Sequence, residues 1–254
     1  MSVWLCIPSC RPAAETEDCL RRWRALGYKI ALLRQGEPVE ADLLIPTGEY
    51  LGWARSTNIL AREVLRWDES ASWIVGGGDD YLPDPARDAA SIEADCFGYF
   101  YRLNVYFWNF HETGRRDWDI RTFGVMQPTG DRWGDSESAR ATYGPDRGAQ
   151  LDRIAGSPWM GREWCERAYL GNGPMWDGYH HMFADEELQE VAIAQGVFWQ
   201  RRDLCQMHNH FTREPGRVAA AAEIYSSEEW TRSNRIFCER KAKGFPGSGV
   251  IGCW

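Results

Sequence analysis

"SWIVGGGDDYLPDP" (residues 72–85) takes a short apolar run through three glycines into two adjacent aspartates and then a proline-punctuated turn. Ser72 to Val75 has the composition of a strand, and the glycines end it, so Asp79 and Asp80 stand just past a strand terminus. Like charges that close repel. Either solvent separates them, as in an ordinary turn, or a metal ion offsets their repulsion.

The sequence before this stretch sets its surroundings. "GWARSTNILAREVLRWD" (52–68) carries Ala54, Ile59, Ala61, Val64 and Leu65 as an apolar stripe and predicts a helix. "VWLCI" (3–7), "YKIALL" (28–33) and "ADLLIP" (41–46) predict strands, and Leu20, Trp23 and Leu26 place a helix over about 14–26 that Gly27 closes. Strand, helix, strand, strand, helix, strand predicts an α/β domain with a mostly parallel central sheet flanked by helices. Ligands of such sheets collect at the carboxyl ends of the strands. Asp79, Asp80 and the loop "PSCRP" (8–12) all fall there.

Beyond the turn, the aromatic segment within 86–121 is irregular and reads as an insertion, a helix followed by a strand. "TFGVMQ" (122–127) predicts a strand, and a polar loop containing Asp131 and Asp135 follows it. "REWCERAYL" is a short helix and "ADEELQEVAIAQG" a well-marked one, with Asp185 in its first turn and Gly196 at its end. "VFWQRRDL" is a strand with His208, Asn209 and His210 just after it. Residues 211–254 predict a C-terminal helical tail packed on the domain formed by 1–210.

Of the 254 residues, 44% are hydrophobic and 26% charged, and no apolar run approaches the ~18 residues of a membrane span. The start has no basic leader and reads as the first strand. Eight cysteines without a CxxC pair predict free thiols and a cytoplasmic location. A net charge of −8 offers no general attraction for nucleic acid or anionic membranes, although "CERKAK" (238–243) and Arg115–Arg116 allow local phosphate contacts. Fourteen tryptophans suit a core and also surfaces on which sugars or bases stack.

Asp79–Asp80, Asp185–Glu186–Glu187 and His208–Asn209–His210 thus lie at the ends of elements. Carboxylates and imidazole suit Mn²⁺, and carboxylates suit Mg²⁺; a helix cap at Asp185 and surface histidines are the structural alternatives. The order of these parts resembles the GT-A fold glycosyltransferases of the family-2 type, Rossmann-like nucleotide-sugar enzymes, in a compact form similar to bacteriophage proteins. "PSCRP" resembles their base-binding loop, which implies donor contacts from Pro8, Ser9 and Arg11. "GWARSTN" resembles their "GxxxARN" segment, carrying over Arg55 and Asn58. "GGGDDYLPDP" resembles the DxD motif, with Asp80 in the metal-binding position and Asp79 beside the donor, although Gly78 stands where the first acid belongs. "ADEEL" resembles "EDxxL", with Ala184 in place of Glu and Asp185 as the catalytic base. His208 resembles a histidine that completes the metal site, and Trp159 falls in the segment that meets donor or acceptor.

The resemblance implies a cytoplasmic, metal-dependent, inverting glycosyltransferase that uses Mn²⁺ or Mg²⁺ and a UDP- or GDP-linked sugar. Its first implied acceptor is 5-hydroxymethylcytosine in phage DNA. A cell-surface, lipid-linked or small-molecule acceptor, a non-catalytic nucleotide-sugar binder, and a metal-dependent nuclease or phosphatase using the same acids are the alternatives.

Overall fold

An unbroken apolar run suits a strand covered on both faces, and Ser2–Ser9 form that strand, β1. The computed structural model describes residues 1–108, 119–130, 156–209 and 226–249. Helix α1 (Ala13–Ala25) follows, then β2 (Lys29–Arg34), β3 (Leu43–Pro46), α2 (Trp53–Trp67) and β4 (Ala71–Val75). These four strands pair in parallel in the order β3-β2-β1-β4, with Trp4 opposite Lys29 and Val3 opposite Trp73.

The remaining elements are β5 (Tyr81–Leu82), α3 (Ala89–Trp108), β6 (Val125–Gly130), β7 (Trp159–Gly161), α4 (Arg162–Arg167), α5 (Ala184–Ala194), β8 (Phe198–His208) and α6 (Ser227–Ala242). They extend the sheet as β4-β7-β6-β8-β5. Here β7 runs antiparallel to both β4 and β6, β6 and β8 are parallel, and β5 is antiparallel to β8. The protein is therefore an α/β fold with a Rossmann-like parallel half. Six of the eight strands run in one direction, as expected, and only the short β5 and β7 run against them, which makes the sheet mixed where the chain returns through β7 instead of another helical crossover.

Alternation along β1 divides the core. Trp4 and Cys6 face a cluster built with α2, α4 and α5, while Val3, Leu5 and Ile7 face one built with α1 and α3. Within 86–121, Ala89–Trp108 is one 20-residue helix whose Ile92, Cys96 and Phe100 are buried, and a short 3₁₀ turn (Ile120–Thr122) leads into β6. The strand expected after Val197 runs on to His208, so that histidine ends β8 instead of following it.

The C-terminal helix docks on α5 through a buried ion pair. Arg240 donates from Nε and Nη2 to the two oxygens of Glu187, each at 2.7 Å, and its guanidinium lies 3.8 Å from the centre of the Trp176 ring. Among the described residues every cysteine is a free thiol, and no helix is long and apolar enough to cross a membrane. Asp131, Asp135, Arg115, Arg116 and His210 lie outside the described residues.

Candidate active site at the strand ends

The glycine loop after β4 is held from several sides. Trp53, at the start of α2, donates its indole N–H to the Gly77 carbonyl at 2.8 Å, and Trp23 of α1 donates to the Tyr81 carbonyl at 2.8 Å. The Asn209 amide, one residue past β8, donates to the Asp80 carbonyl at 2.7 Å. Loops carry unpaired backbone groups, and these bonds satisfy them while fixing where residues 79 and 80 point. A Cβ on Gly78 would come within 2.7 Å of Asp80 Oδ1, so the residue missing from the DxD pattern is one that leaves room for the Asp80 carboxylate.

Both carboxylates are paired inside the protein. Arg11, in the loop after β1, donates from Nε to Asp79 Oδ1 and from Nη2 to Asp80 Oδ2, each at 2.9 Å. The other Asp79 oxygen accepts from Ser9 Oγ at 2.7 Å and Thr16 Oγ1 at 3.3 Å. Behind them the buried Arg34, at the end of β2, donates to Ser9 Oγ at 2.6 Å and Thr16 Oγ1 at 3.2 Å. Burial pushes the Asp79 carboxyl up, and the Ser9 hydrogen bond and Arg11 charge oppose that shift.

His208 approaches the Asp80 oxygen that also accepts from Arg11, its Nε2 3.4 Å from Asp80 Oδ2, and its ring stacks on Tyr81 with centroids 4.0 Å apart. Strand pairing produces this meeting, since Tyr81 of β5 is opposite His208 of β8. An octahedral ion with bonds of ~2.1 Å places neighbouring ligands ~3 Å apart, and such ions commonly take one or two protein ligands with phosphate and water completing the shell. The carboxylate oxygen and imidazole nitrogen, 3.4 Å apart, are donors of the kind such an ion takes, and in this structure Arg11 occupies that oxygen. Among the described residues no group of three His, Cys, Asp or Glu side chains is arranged to hold a metal ion. A cleft of about 340 Å³ opens beside the two aspartates, lined by Arg11, Glu15, Asp18, Asp79, Asp80 and Asn209 among others.

No protein-family model matches the chain, and no curated protein matches it. Among solved structures it is similar to a glycosyltransferase involved in the glycosylation of the major capsid of PBCV-1, at 11% identity and a TM-score of 0.39, over 82% of this chain and 94% of that one. A likeness this distant carries no functional weight.

Of the other expected site residues, Pro8 is half-buried near the end of β1 and Arg55 is exposed in the first turn of α2. Asn58 is buried, and its amide donates to the Met175 carbonyl at 2.7 Å and accepts from the Met175 N–H at 3.1 Å, which ties α2 to the segment before α5. Trp159 is fully buried against Tyr28, with its ring in the core and no face toward a ligand. Asp185 stands in the first turn of α5, and burial pushes its carboxyl up to about 6 despite backbone N–H bonds that act the other way. The lowering that a helix N-terminus exerts on a nearby carboxyl is therefore outweighed by burial. Neighbouring Glu186 is pushed up to about 7 by burial and by the charges of Asp185 and Glu190.

Sequence reading passed over Tyr50, His180 and His181. The His180 carbonyl accepts from the Trp53 N–H at 3.1 Å, and the Tyr50 hydroxyl bonds His181 Nδ1 at 2.7 Å. Burial and the neighbouring His180 lower His181 to about 4, and the Asp80 and Glu229 carboxylates act on it in the opposite sense. Two adjacent histidines four residues before an acidic helix start were the available signal.

Proposed function

We propose that this chain is a metal-dependent, inverting glycosyltransferase that moves a sugar from a UDP- or GDP-linked donor to a hydroxyl acceptor. The observation that carries the reading is the cluster of Arg11, Asp79, Asp80 and His208 at the ends of β1, β4 and β8. That is where α/β sheets bind nucleotides.

A divalent cation on Asp80 and His208 would supply positive charge to the diphosphate as the glycosidic bond breaks. Asp79, fixed by Ser9 and Thr16, holds the guanidinium of Arg11 beside the donor. Asp185 takes the proton of the acceptor hydroxyl while that oxygen bonds the anomeric carbon, and the nucleoside diphosphate leaves with the electron pair of the broken bond. A base with a pKa of about 6 is ionised at neutral pH and remains a useful proton acceptor.

For the acceptor, 5-hydroxymethylcytosine in DNA stands beside cell-surface, lipid-linked and small-molecule hydroxyls. Two basic residues of "CERKAK" are already engaged, Arg240 by Glu187 and Lys241 by Glu190, which weakens the case for phosphate contacts from that tract. The test is incubation with Mn²⁺ and a panel of nucleotide sugars, with mass spectrometry of these acceptors. A gain of one sugar on any acceptor supports the reading. Silence across the panel, with no thermal shift from UDP or GDP plus Mn²⁺, would overturn it. A thermal shift without turnover points to a non-catalytic binder, and phosphate released from nucleic acid without a sugar donor points to a nuclease or phosphatase.

A further inference from the structure

The adjacent aspartates raised the question of what offsets their repulsion, and within the protein the answer is a guanidinium. Arg11 bridges both carboxylates at 2.9 Å, and its side chain is only 11% exposed, against 9% and 14% for Asp79 and Asp80. Planar, charge-assisted contacts of this kind are among the stronger ones a protein makes. They also occupy Asp80 Oδ2, the oxygen nearest His208 Nε2 and the one a shared cation would need.

We propose that Arg11 is an internal competitor for the cation, holding Asp80 until a divalent ion and a diphosphate arrive together. The ion then takes Asp80 and the diphosphate takes the released guanidinium. This inference rests on the metal-nucleotide reading of the same site and adds an order to it: metal alone binds weakly, and metal with nucleoside diphosphate binds well. Charge supports the exchange. Arg11 and Arg34 with Asp79, Asp80 and Glu15, whose carboxylate lies 3.8 Å from Arg11, sum to −1, and a divalent ion placed among them without an anion would leave the guanidinium beside a second positive charge. Asp79 keeps Arg11 Nε and remains anchored by Ser9, Thr16 and, through their hydroxyls, Arg34, so the loop keeps its form when Arg11 lets go of Asp80 alone.

The test is Mn²⁺ binding to the full chain, followed by electron paramagnetic resonance of the free ion, with and without UDP or GDP. In the unaltered protein the nucleotide should tighten Mn²⁺ binding. Arg11→Gln should bind Mn²⁺ alone about tenfold tighter or more, the size of one lost charged hydrogen bond, and should show less tightening by nucleotide. Arg11→Lys keeps the charge but spans only one carboxylate, and should fall between the two; it serves if Arg11→Gln does not fold by circular dichroism. Mn²⁺ binding to the folded variants no tighter than to the unaltered protein would overturn the competition. Asp80→Ala separates this failure from that of the underlying reading. If Asp80→Ala binds Mn²⁺ as the unaltered protein does, the cation site itself is misplaced; if it loses Mn²⁺ while the Arg11 variants show no tightening, only the competition is refuted.

Discussion

At the level of single residues, surroundings decide what each carboxylate can do. Asp79 and Asp80 share a guanidinium, whereas Asp185 has backbone N–H bonds and burial, which raises its pKa from 3.8 to about 6. A carboxyl with a raised folded pKa favours the folded state fully below its unfolded pKa and loses that advantage as pH rises through 6. Asp185→Asn should therefore leave stability little changed at pH 3.5 and gain up to about 3 kcal/mol at pH 8, read from urea unfolding at the two values. On the proposed reading the same variant should keep UDP–Mn²⁺ binding and lose transfer, and kcat of the unaltered protein should rise with pH through about 6 as the proposed base ionises. Full transfer activity in Asp185→Asn would remove it as the base. His181 carries the opposite shift, to about 4, so its contribution is present above pH 6.5 and is lost as pH falls through 4. His181→Gln should accordingly flatten the stability profile between those values.

Elements are joined by contacts whose worth depends on burial. Glu187 is fully buried and Arg240 nearly so, while the neighbouring pair of Lys241 and Glu190 is exposed. Arg240→Ala leaves an uncompensated buried carboxylate and should cost about 3–5 kcal/mol in urea unfolding. Lys241→Ala should cost under about 1 kcal/mol in the same measurement. The start of α2 depends on a different constraint. Gly52 has φ 93°, and a Cβ there would come 2.4 Å from the His180 carbonyl oxygen, so the helix and the His180–His181 segment approach through a position without a side chain. Gly52→Ala should destabilise by about 2 kcal/mol or more and weaken donor binding together with stability, measured by thermal melting with and without UDP–Mn²⁺.

Across the whole molecule, the sheet separates two apolar clusters and its carboxyl ends carry the polar network. Tryptophans serve both parts. Trp4, Trp23, Trp73, Trp159 and Trp164 are fully buried, and Trp23 and Trp53 also use their indole N–H groups to hold the Tyr81 and Gly77 carbonyls on either side of the aspartates. Trp159→Ala should cost about 3–5 kcal/mol as a core cavity, with Mn²⁺ affinity per folded molecule unchanged, as measured by denaturation and metal titration. A donor mimic with Mn²⁺ that binds only the folded state should stabilise it by about 2.7 kcal/mol at a hundredfold excess over Kd. Asp80→Ala should abolish that gain.

Periodicity and composition were enough for the first half of the fold. The apolar runs of β1, β2 and β4 and the stripe on α2 each encode their element locally, and the alternation of strands and helices implies the parallel sheet. The glycines after Val75 also place the two aspartates at a strand end. Other features depend on contacts remote in sequence. The antiparallel β7 is three residues long, too short for a periodic signal, and on α3 the buried stripe of Ile92, Cys96, Phe100 and Asn104 is blurred by the half-buried aromatics Phe97 and Tyr99 beside it. Asn58 and Trp159 match a motif by type, but folding directs one to Met175 and the other to the core. Arg11 was assigned to the donor from its loop. Only the tertiary structure shows it across Asp79 and Asp80, because that pairing joins residues 68 and 69 positions apart and depends on β1 and β4 lying side by side.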